Sequence, residues 1–141
     1  MNEATIKSGT VFKLEGIMNL FMRILALLFI CYAVRYWLLM VGVLDPEIRF
    51  DVMPNHWKVA AAFFSVFYPV AALGLWGIFR WGVVVWFLTA IAELAMHIFY
   101  PQLFGVYNVL VIFHLASMGT WLIYALIEFL NAKRTRILNA K

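Results

Sequence analysis

Four long apolar stretches take up most of this 141-residue chain. An α-helix rises 1.5 Å per residue, so a helix needs about 20 residues to cross a hydrocarbon core of roughly 30 Å. The stretches that meet this length are about 19–43, 57–78, 82–100 and 108–129. A spanning segment must satisfy its own backbone hydrogen bonds, and the alternating pattern of a β-barrel strand does not occur. The sequence therefore predicts an all-α membrane protein, a bundle of four transmembrane helices.

Composition and the breaks between the stretches agree with this prediction. The chain is 66% hydrophobic and 13% charged, with a mean hydropathy of +0.92, which leaves too little polar surface for a soluble domain. Segment 44–56 gathers two prolines and four charges, whereas only Phe79, Arg80 and Trp81 separate the second and third stretches. So short a connection predicts a tight helical hairpin. We expect a single integral membrane domain over 1–141, ending in a basic tail at 130–141.

The basic residues predict the orientation of the bundle. With four spans, one side carries Lys7, Lys13, Arg80, Lys133, Arg134, Arg136 and Lys141. Because cytoplasmic segments carry the excess of lysine and arginine, both termini are expected in the cytoplasm, an N-in/C-in topology. The net charge of +4 is therefore a topology signal rather than a nucleic-acid surface. We expect the lipid bilayer, other membrane proteins or a second copy as partners, and no nucleic acid.

The informative ionisable residues inside the predicted spans are Arg23, Arg35, Glu93, His97, His114 and Glu128. A charge near the bilayer centre costs about 2.5–3.5 kcal/mol on insertion scales, so these groups need partners or solvent.

The depth of each ionisable residue along its helix indicates which of them lie at the same level in the bilayer and can be partners. With the first helix centred near Phe29, Arg35 lies roughly 9 Å toward the outer face. The same arithmetic puts Glu93 roughly 3 Å, His97 roughly 9 Å and His114 roughly 7 Å beyond the centre. Glu93 and His97 are four residues apart and project from one face of their helix. The sequence thus predicts an outer-half polar layer made of Arg35, Glu93, His97 and His114.

One hypothesis gives these ionisable residues a structural role. Arg35 with Glu93, and Arg23 with Glu128 nearer the cytoplasm, could form ion pairs that fix helix order and register.

Three ligand-binding interpretations are open beside it. Glu93, His97 and His114 form a ligand set acceptable to zinc or iron, without the spacing of a known metal motif. His97 and His114 could instead supply two axial ligands to a haem. Glu93 and the histidines could also relay protons or hold a quinone headgroup. Aromatic residues that could wall such a pocket are Tyr32, Tyr36, Tyr68 and Phe99.

Other features predict structure rather than chemistry. Pro69 should bend the second span. A backbone carbonyl that loses its N–H partner because of the proline needs a new donor, and Tyr68 lies at this point of the helix. Several aromatic residues near the span boundaries are typical interfacial anchors: Trp37, Trp57, Trp76, Trp81 and Tyr100. The lone Cys31 cannot form an intramolecular disulfide. Nucleophilic triads, phosphate-binding loops and His-Glu-x-x-His segments do not occur, so we expect a protein that is not an enzyme.

The runs Met22–Gly42 and Pro69–Thr89, with an arginine-marked hairpin in the second, carry a resemblance. They resemble the small four-helix membrane proteins of the DoxX type. In size and layout the chain is also similar to uncharacterised small inner-membrane proteins of alphaproteobacteria, a family described as a domain of unknown function. The resemblance implies a bundle in the bacterial cytoplasmic membrane, sometimes associated with redox or stress functions, and it transfers no catalytic residue.

The functional expectation is a non-catalytic inner-membrane protein, an accessory, assembly or scaffold component of a membrane complex, with no cofactor. The alternative is a small membrane redox, quinone-, haem- or metal-binding or proton-linked protein that uses the outer-half polar layer.

Overall fold

A computed structural model describes residues 3–43 and 49–139, with side chains over 13–43 and 49–137. Its elements are α1 (Glu3–Met40), α2 (Asn55–Trp76), α3 (Arg80–Phe99), the short α4 (Pro101–Phe104) and α5 (Asn108–Asn139). Four helical segments are long and apolar enough to cross a membrane: Lys13–Met40, Asn55–Trp76, Arg80–Phe99 and Asn108–Ile137. The predicted all-α class with four candidate spans is therefore confirmed.

The first and last long helices extend beyond their predicted apolar windows. α1 begins at Glu3 rather than near residue 19, and α5 continues to Asn139 through most of the predicted basic tail. Hydropathy marks the part of a helix that suits hydrocarbon, whereas a helix ends where its backbone hydrogen bonds end. Charged residues such as Lys13 and Arg134 are good helix formers, so the helices pass through them.

The turn between α2 and α3 lies slightly earlier than the sequence suggests. α2 ends at Trp76 and α3 begins at Arg80, so the turn comprises Gly77, Ile78 and Phe79. Ile78 has a positive φ of 56°, a backbone conformation that reverses the chain within this short turn. Arg80 and Trp81, predicted to lie in the turn, instead form the first turn of α3.

Two glycines let α2 and α3 approach closely beside this turn. A Cβ atom added to Gly74 would collide with the backbone of Gly82, and one added to Gly82 would collide with the backbone of Gly74. Small residues at a helix contact allow the backbones to approach in this way. The hairpin is thus closed by backbone contact between its two helices.

The chain divides into two compact units, Met1–Val106 and Tyr107–Lys141, each of which is described by itself. Within the first unit α1 packs on α2, and α2 packs on α3. The core of this unit combines large and small apolar side chains, all nearly inaccessible: Leu25, Ala26, Phe29, Ala61, Phe64, Tyr68, Ala71, Ala72, Leu75, Trp86 and Ala90.

The buried side chains of α3 form one stripe along the helix. They are Gly82, Trp86, Thr89, Ala90, Glu93 and His97. Spacings of three and four residues keep them on a single face. The prediction that Glu93 and His97 share a face is confirmed, and this face is the buried one.

Candidate intramembrane polar site

The Glu93 carboxylate lies inside the first unit and accepts hydrogen bonds from tyrosine hydroxyls. Its side chain is 2% exposed. The Tyr68 hydroxyl, from α2, donates a hydrogen bond to Glu93 Oε2. The Tyr36 side chain, from α1, also hydrogen-bonds the carboxylate. One acidic side chain of α3 is therefore held by donors from both α1 and α2.

Aromatic packing fixes the position of the main donor. The Tyr68 ring stacks on Tyr32, with centroids 5.5 Å apart, and on Tyr36, with centroids 5.8 Å apart. Phe29 meets the Tyr68 ring edge-on at 4.8 Å. Phe29, Tyr32 and Tyr36 are three and four residues apart and so lie on one face of α1. We call Tyr32, Tyr36, Tyr68 and Glu93 the tyrosine–carboxylate cluster.

Arg35 lies at the edge of this cluster. Its side chain is exposed, and its charge acts on Tyr32 and Tyr36. The direct ion pair between Arg35 and Glu93 stays a prediction, because the contacts described for the carboxylate come from hydroxyl groups. Tyr36 and Tyr68, predicted only as possible walls of a pocket, are donors to the carboxylate. The usable signal was the i, i+3, i+7 spacing of Phe29, Tyr32 and Tyr36.

His97 anchors the connection that follows α3. Its Nδ1 atom lies 3.0 Å from the carbonyl oxygen of Gly105. A carbonyl oxygen only accepts hydrogen bonds, so Nδ1 carries the hydrogen and donates it. Gly105 follows α4 and has a φ of 80°, a conformation that suits glycine. His97 thereby ties the end of α3 to the residue that terminates α4.

The carbonyl freed by Pro69 has found a donor on another helix. Proline has no N–H, so the carbonyl of Ser65, four residues earlier, lacks its usual partner within α2. The indole Nε1 of Trp37, on α1, donates to this oxygen at 3.1 Å. Trp37, predicted to be an interfacial anchor, therefore also satisfies the Ser65 carbonyl of α2.

In the second unit, His114 is a buried residue of α5, with 1% of its surface exposed. The Ser117 hydroxyl donates to the His114 carbonyl at 3.0 Å, and the Phe113 ring lies 5.2 Å from the imidazole. Because His114 and the tyrosine–carboxylate cluster belong to different units, a shared layer with Glu93 and His97 stays a prediction.

The proposed cytoplasmic pair also spans the two units. Arg23 belongs to α1, and its guanidinium carbon lies 5.8 Å from the centre of the Trp76 ring, a cation–π contact. Glu128 belongs to α5 and is partly exposed. The pairing of Arg23 with Glu128 therefore stays a prediction. Trp76 is a partner of Arg23 that the sequence did not predict.

Two further predictions were a pocket wall that includes Phe99 and a metal site. Phe99 is 71% exposed and is not a wall of the cluster, unlike Tyr32, Tyr36 and Tyr68. Among the side chains of residues 13–43 and 49–137, no group of three His, Cys, Asp or Glu is arranged to hold a metal ion.

Residues 16–133 match a family of unknown function, DUF6163. The chain belongs to the DUF6163 family. The match includes every member of the tyrosine–carboxylate cluster and His97, so the site lies within the DUF6163 region. Among curated proteins and solved structures, none matches this DUF6163 chain. The prediction that the chain resembles a family described as a domain of unknown function is confirmed.

Proposed function

We propose that this DUF6163 protein is a non-catalytic accessory, assembly or scaffold component of a membrane complex. The proposal includes a location in the cytoplasmic membrane of a bacterium and a relationship to the alphaproteobacterial and DoxX-like proteins. Its partners are the lipid bilayer and other membrane proteins or a second copy, and it requires no cofactor. The supporting observation is that Glu93 is held by Tyr68 and Tyr36 from two neighbouring helices.

This arrangement favours a structural role for the buried carboxylate. Polar side chains join transmembrane helices because an unsatisfied polar group in hydrocarbon is costly. Here α1, α2 and α3 all contribute to one cluster, and the rings of Tyr32, Tyr36 and Phe29 pack around Tyr68. A carboxylate with donors on two other helices fixes the rotation and register of the bundle. A bundle fixed in this way presents constant outer faces to partner proteins.

Purification in native nanodiscs tests the scaffold role. The expected result is a membrane protein partner that copurifies in constant proportion with the tagged chain. Tryptophan substitutions at the exposed positions Val84, Ile91 and Ile98 of α3 should release the partner if that face is the interface. The matched control is Ala90→Trp, which overfills the core and should reduce folded yield. A chain that is always recovered alone, and whose removal leaves every membrane complex intact, would contradict the proposal.

The second candidate is a small proton-linked, redox, quinone-, haem- or metal-binding membrane protein. The observation that favours it is the position of a carboxyl group next to tyrosine hydroxyls inside the spanning region, where ionisable residues commonly mark functional sites. Hydroxyl and carboxyl groups can pass a proton between them, or donate to the carbonyl oxygens of a quinone.

Glu93→Gln separates the two candidates, because glutamine keeps an acceptor oxygen for Tyr68 but loses the titratable carboxyl group. The scaffold role predicts a folded variant with the same partner. The second candidate predicts a folded variant that has lost a bound quinone, a bound chromophore or a proton flux measured in vesicles. Absorption spectra and solvent extracts of the purified wild-type chain supply the reference for the comparison.

A further inference from the structure

Two exposed arginines interrupt the spanning part of α1. Arg23 and Arg35 both have exposed side chains, and the segment between them, Ile24–Val34, contains no charged residue. Twelve positions separate the arginines, which corresponds to roughly 18 Å along the helix axis. The hydrocarbon core is about 30 Å thick, so each guanidinium has roughly 6 Å to cover to reach a headgroup layer. Arginine side chains are long enough to extend toward the interface in this way.

The described contacts of the two arginines leave most of their donors available. Arg23 makes a cation–π contact with Trp76, which uses the face of the guanidinium and not its N–H groups. For Arg35, the described interactions are electrostatic ones with Tyr32 and Tyr36. A guanidinium has five N–H donors, so an acceptor at the membrane is required.

The apolar character of the surface between the two arginines indicates which acceptor they meet. Exposed apolar side chains cover it: Ile24, Leu27, Leu28, Ile30 and Val34. This surface suits lipid chains, and each leaflet places a layer of phosphate groups beyond those chains. Guanidinium and phosphate form bidentate hydrogen bonds, which are stronger than neutral ones.

We propose that Arg23 and Arg35 bind phospholipid phosphates in opposite leaflets and thereby hold α1 at a fixed depth in the bilayer. The ligand is the phosphate diester, which zwitterionic and anionic phospholipids share. The binding is a property of α1 and is independent of whether the protein is a scaffold or binds a cofactor.

Solid-state NMR measures the contact directly. Arginine labelled with ¹³C at Cζ is incorporated into a full-length variant in which Arg49, Arg80, Arg134 and Arg136 are replaced by lysine. The variant is reconstituted in phosphatidylcholine vesicles or in phosphatidylglycerol vesicles, and dephasing of each guanidinium carbon by ³¹P is recorded. Both carbons should be dephased in both lipids. Adding Arg35→Lys should remove one of the two dephased signals and leave that of Arg23.

An Arg35 carbon that is not dephased by ³¹P in either lipid would overturn the proposal. So would an Arg35→Gln variant of the wild-type chain that changes its oligomeric state or loses a protein partner, because the acceptor would then be a carboxylate of another chain.

Bilayer thickness supplies a second measurement that does not depend on the labelled variant. Arg35→Leu extends the uncharged helical stretch of α1 from Ile24–Val34 to Ile24–Met40, from roughly 16 Å to roughly 26 Å. The acyl-chain length that gives the highest thermal stability should therefore increase. The matched control is Arg49→Leu, which breaks an exposed ion pair with Asp51 and should leave the optimum unchanged. An unchanged optimum for Arg35→Leu would overturn the proposal.

Discussion

Individual side chains in this protein act mainly by satisfying polar groups that its own helices leave buried. Glu93 would be costly in hydrocarbon by itself, and tyrosine hydroxyls offset part of that cost. The Ser65 carbonyl is another such group, and an indole on a different helix satisfies it.

Tyr68→Phe tests the first of these contacts. The substitution keeps the stacked ring but removes the donor to Glu93, so we expect a loss of about 1–3 kcal/mol in the free energy of unfolding. Reversible unfolding in lipid nanodiscs measures the loss. Tyr100→Phe removes a hydroxyl from a residue that is 53% exposed and should change stability by less than about 0.5 kcal/mol. Equal effects of the two substitutions would argue against the Glu93 contact.

Trp37 and Pro69 should be coupled energetically. Trp37→Phe leaves the Ser65 carbonyl without its donor and should destabilise the wild-type chain. In a Pro69→Ala background the new backbone N–H can bond that carbonyl, so the same substitution should cost less. A double-mutant cycle should give a coupling of about 0.6 kcal/mol and at most about 1.7 kcal/mol, the average and the maximum for hydrogen bonds between membrane helices. A coupling indistinguishable from zero would show that the indole bond does not compensate for the proline.

At the scale of elements, the α2–α3 hairpin depends on the absence of two side chains. Gly82→Ala should force α2 and α3 apart, because its Cβ would meet the backbone of Gly74. We expect a loss of about 1–3 kcal/mol, measured by the same unfolding assay. Gly16→Ala and Gly119→Ala are the matched controls, since nothing lies within 4 Å of a Cβ at either position. Those alanines should be neutral or stabilising, as alanine is the better helix former. An alanine at position 82 that behaves like the controls would contradict the close packing.

The lengths of α1 and α5 show what an apolar pattern can and cannot predict about elements. The predicted windows identified four spans because the thickness of the hydrocarbon core is nearly constant. They did not predict the ends of the helices, since Lys13 and Arg134 are as compatible with a helix as the apolar residues beside them.

At the scale of the whole molecule, topology is the prediction that can be checked most directly. With four spans and basic residues at both ends and at the start of α3, both termini should face the cytoplasm. Fusions of green fluorescent protein to either terminus should fluoresce, and fusions of alkaline phosphatase should be inactive. An alkaline phosphatase inserted after Asp51 should be active, and activity at the termini instead would mean the reverse orientation.

The candidate site was less predictable than the fold, for a geometric reason. Position in the sequence gives the depth of a residue, which grouped Arg35 with Glu93 in one layer. Which side chain reaches the Glu93 carboxylate depends also on helix rotation and on which helices are neighbours. The pairing of α1 with α2, and of α2 with α3, turned Tyr36 and Tyr68 toward the carboxylate. A hydrophobicity pattern alone does not contain that information.

The hydrogen bond from Trp37 to Ser65 has a consequence for biogenesis. The ribosome releases α1 before α2, so the indole is already in the membrane when the proline-containing helix arrives. Until the two helices pair, α2 would carry an unsatisfied carbonyl into lipid, which is unfavourable. Pairing of α1 with α2 should therefore accompany the insertion of α2 rather than follow it. A chain from which α1 is removed should insert α2 poorly, although α2 is apolar enough to span the membrane.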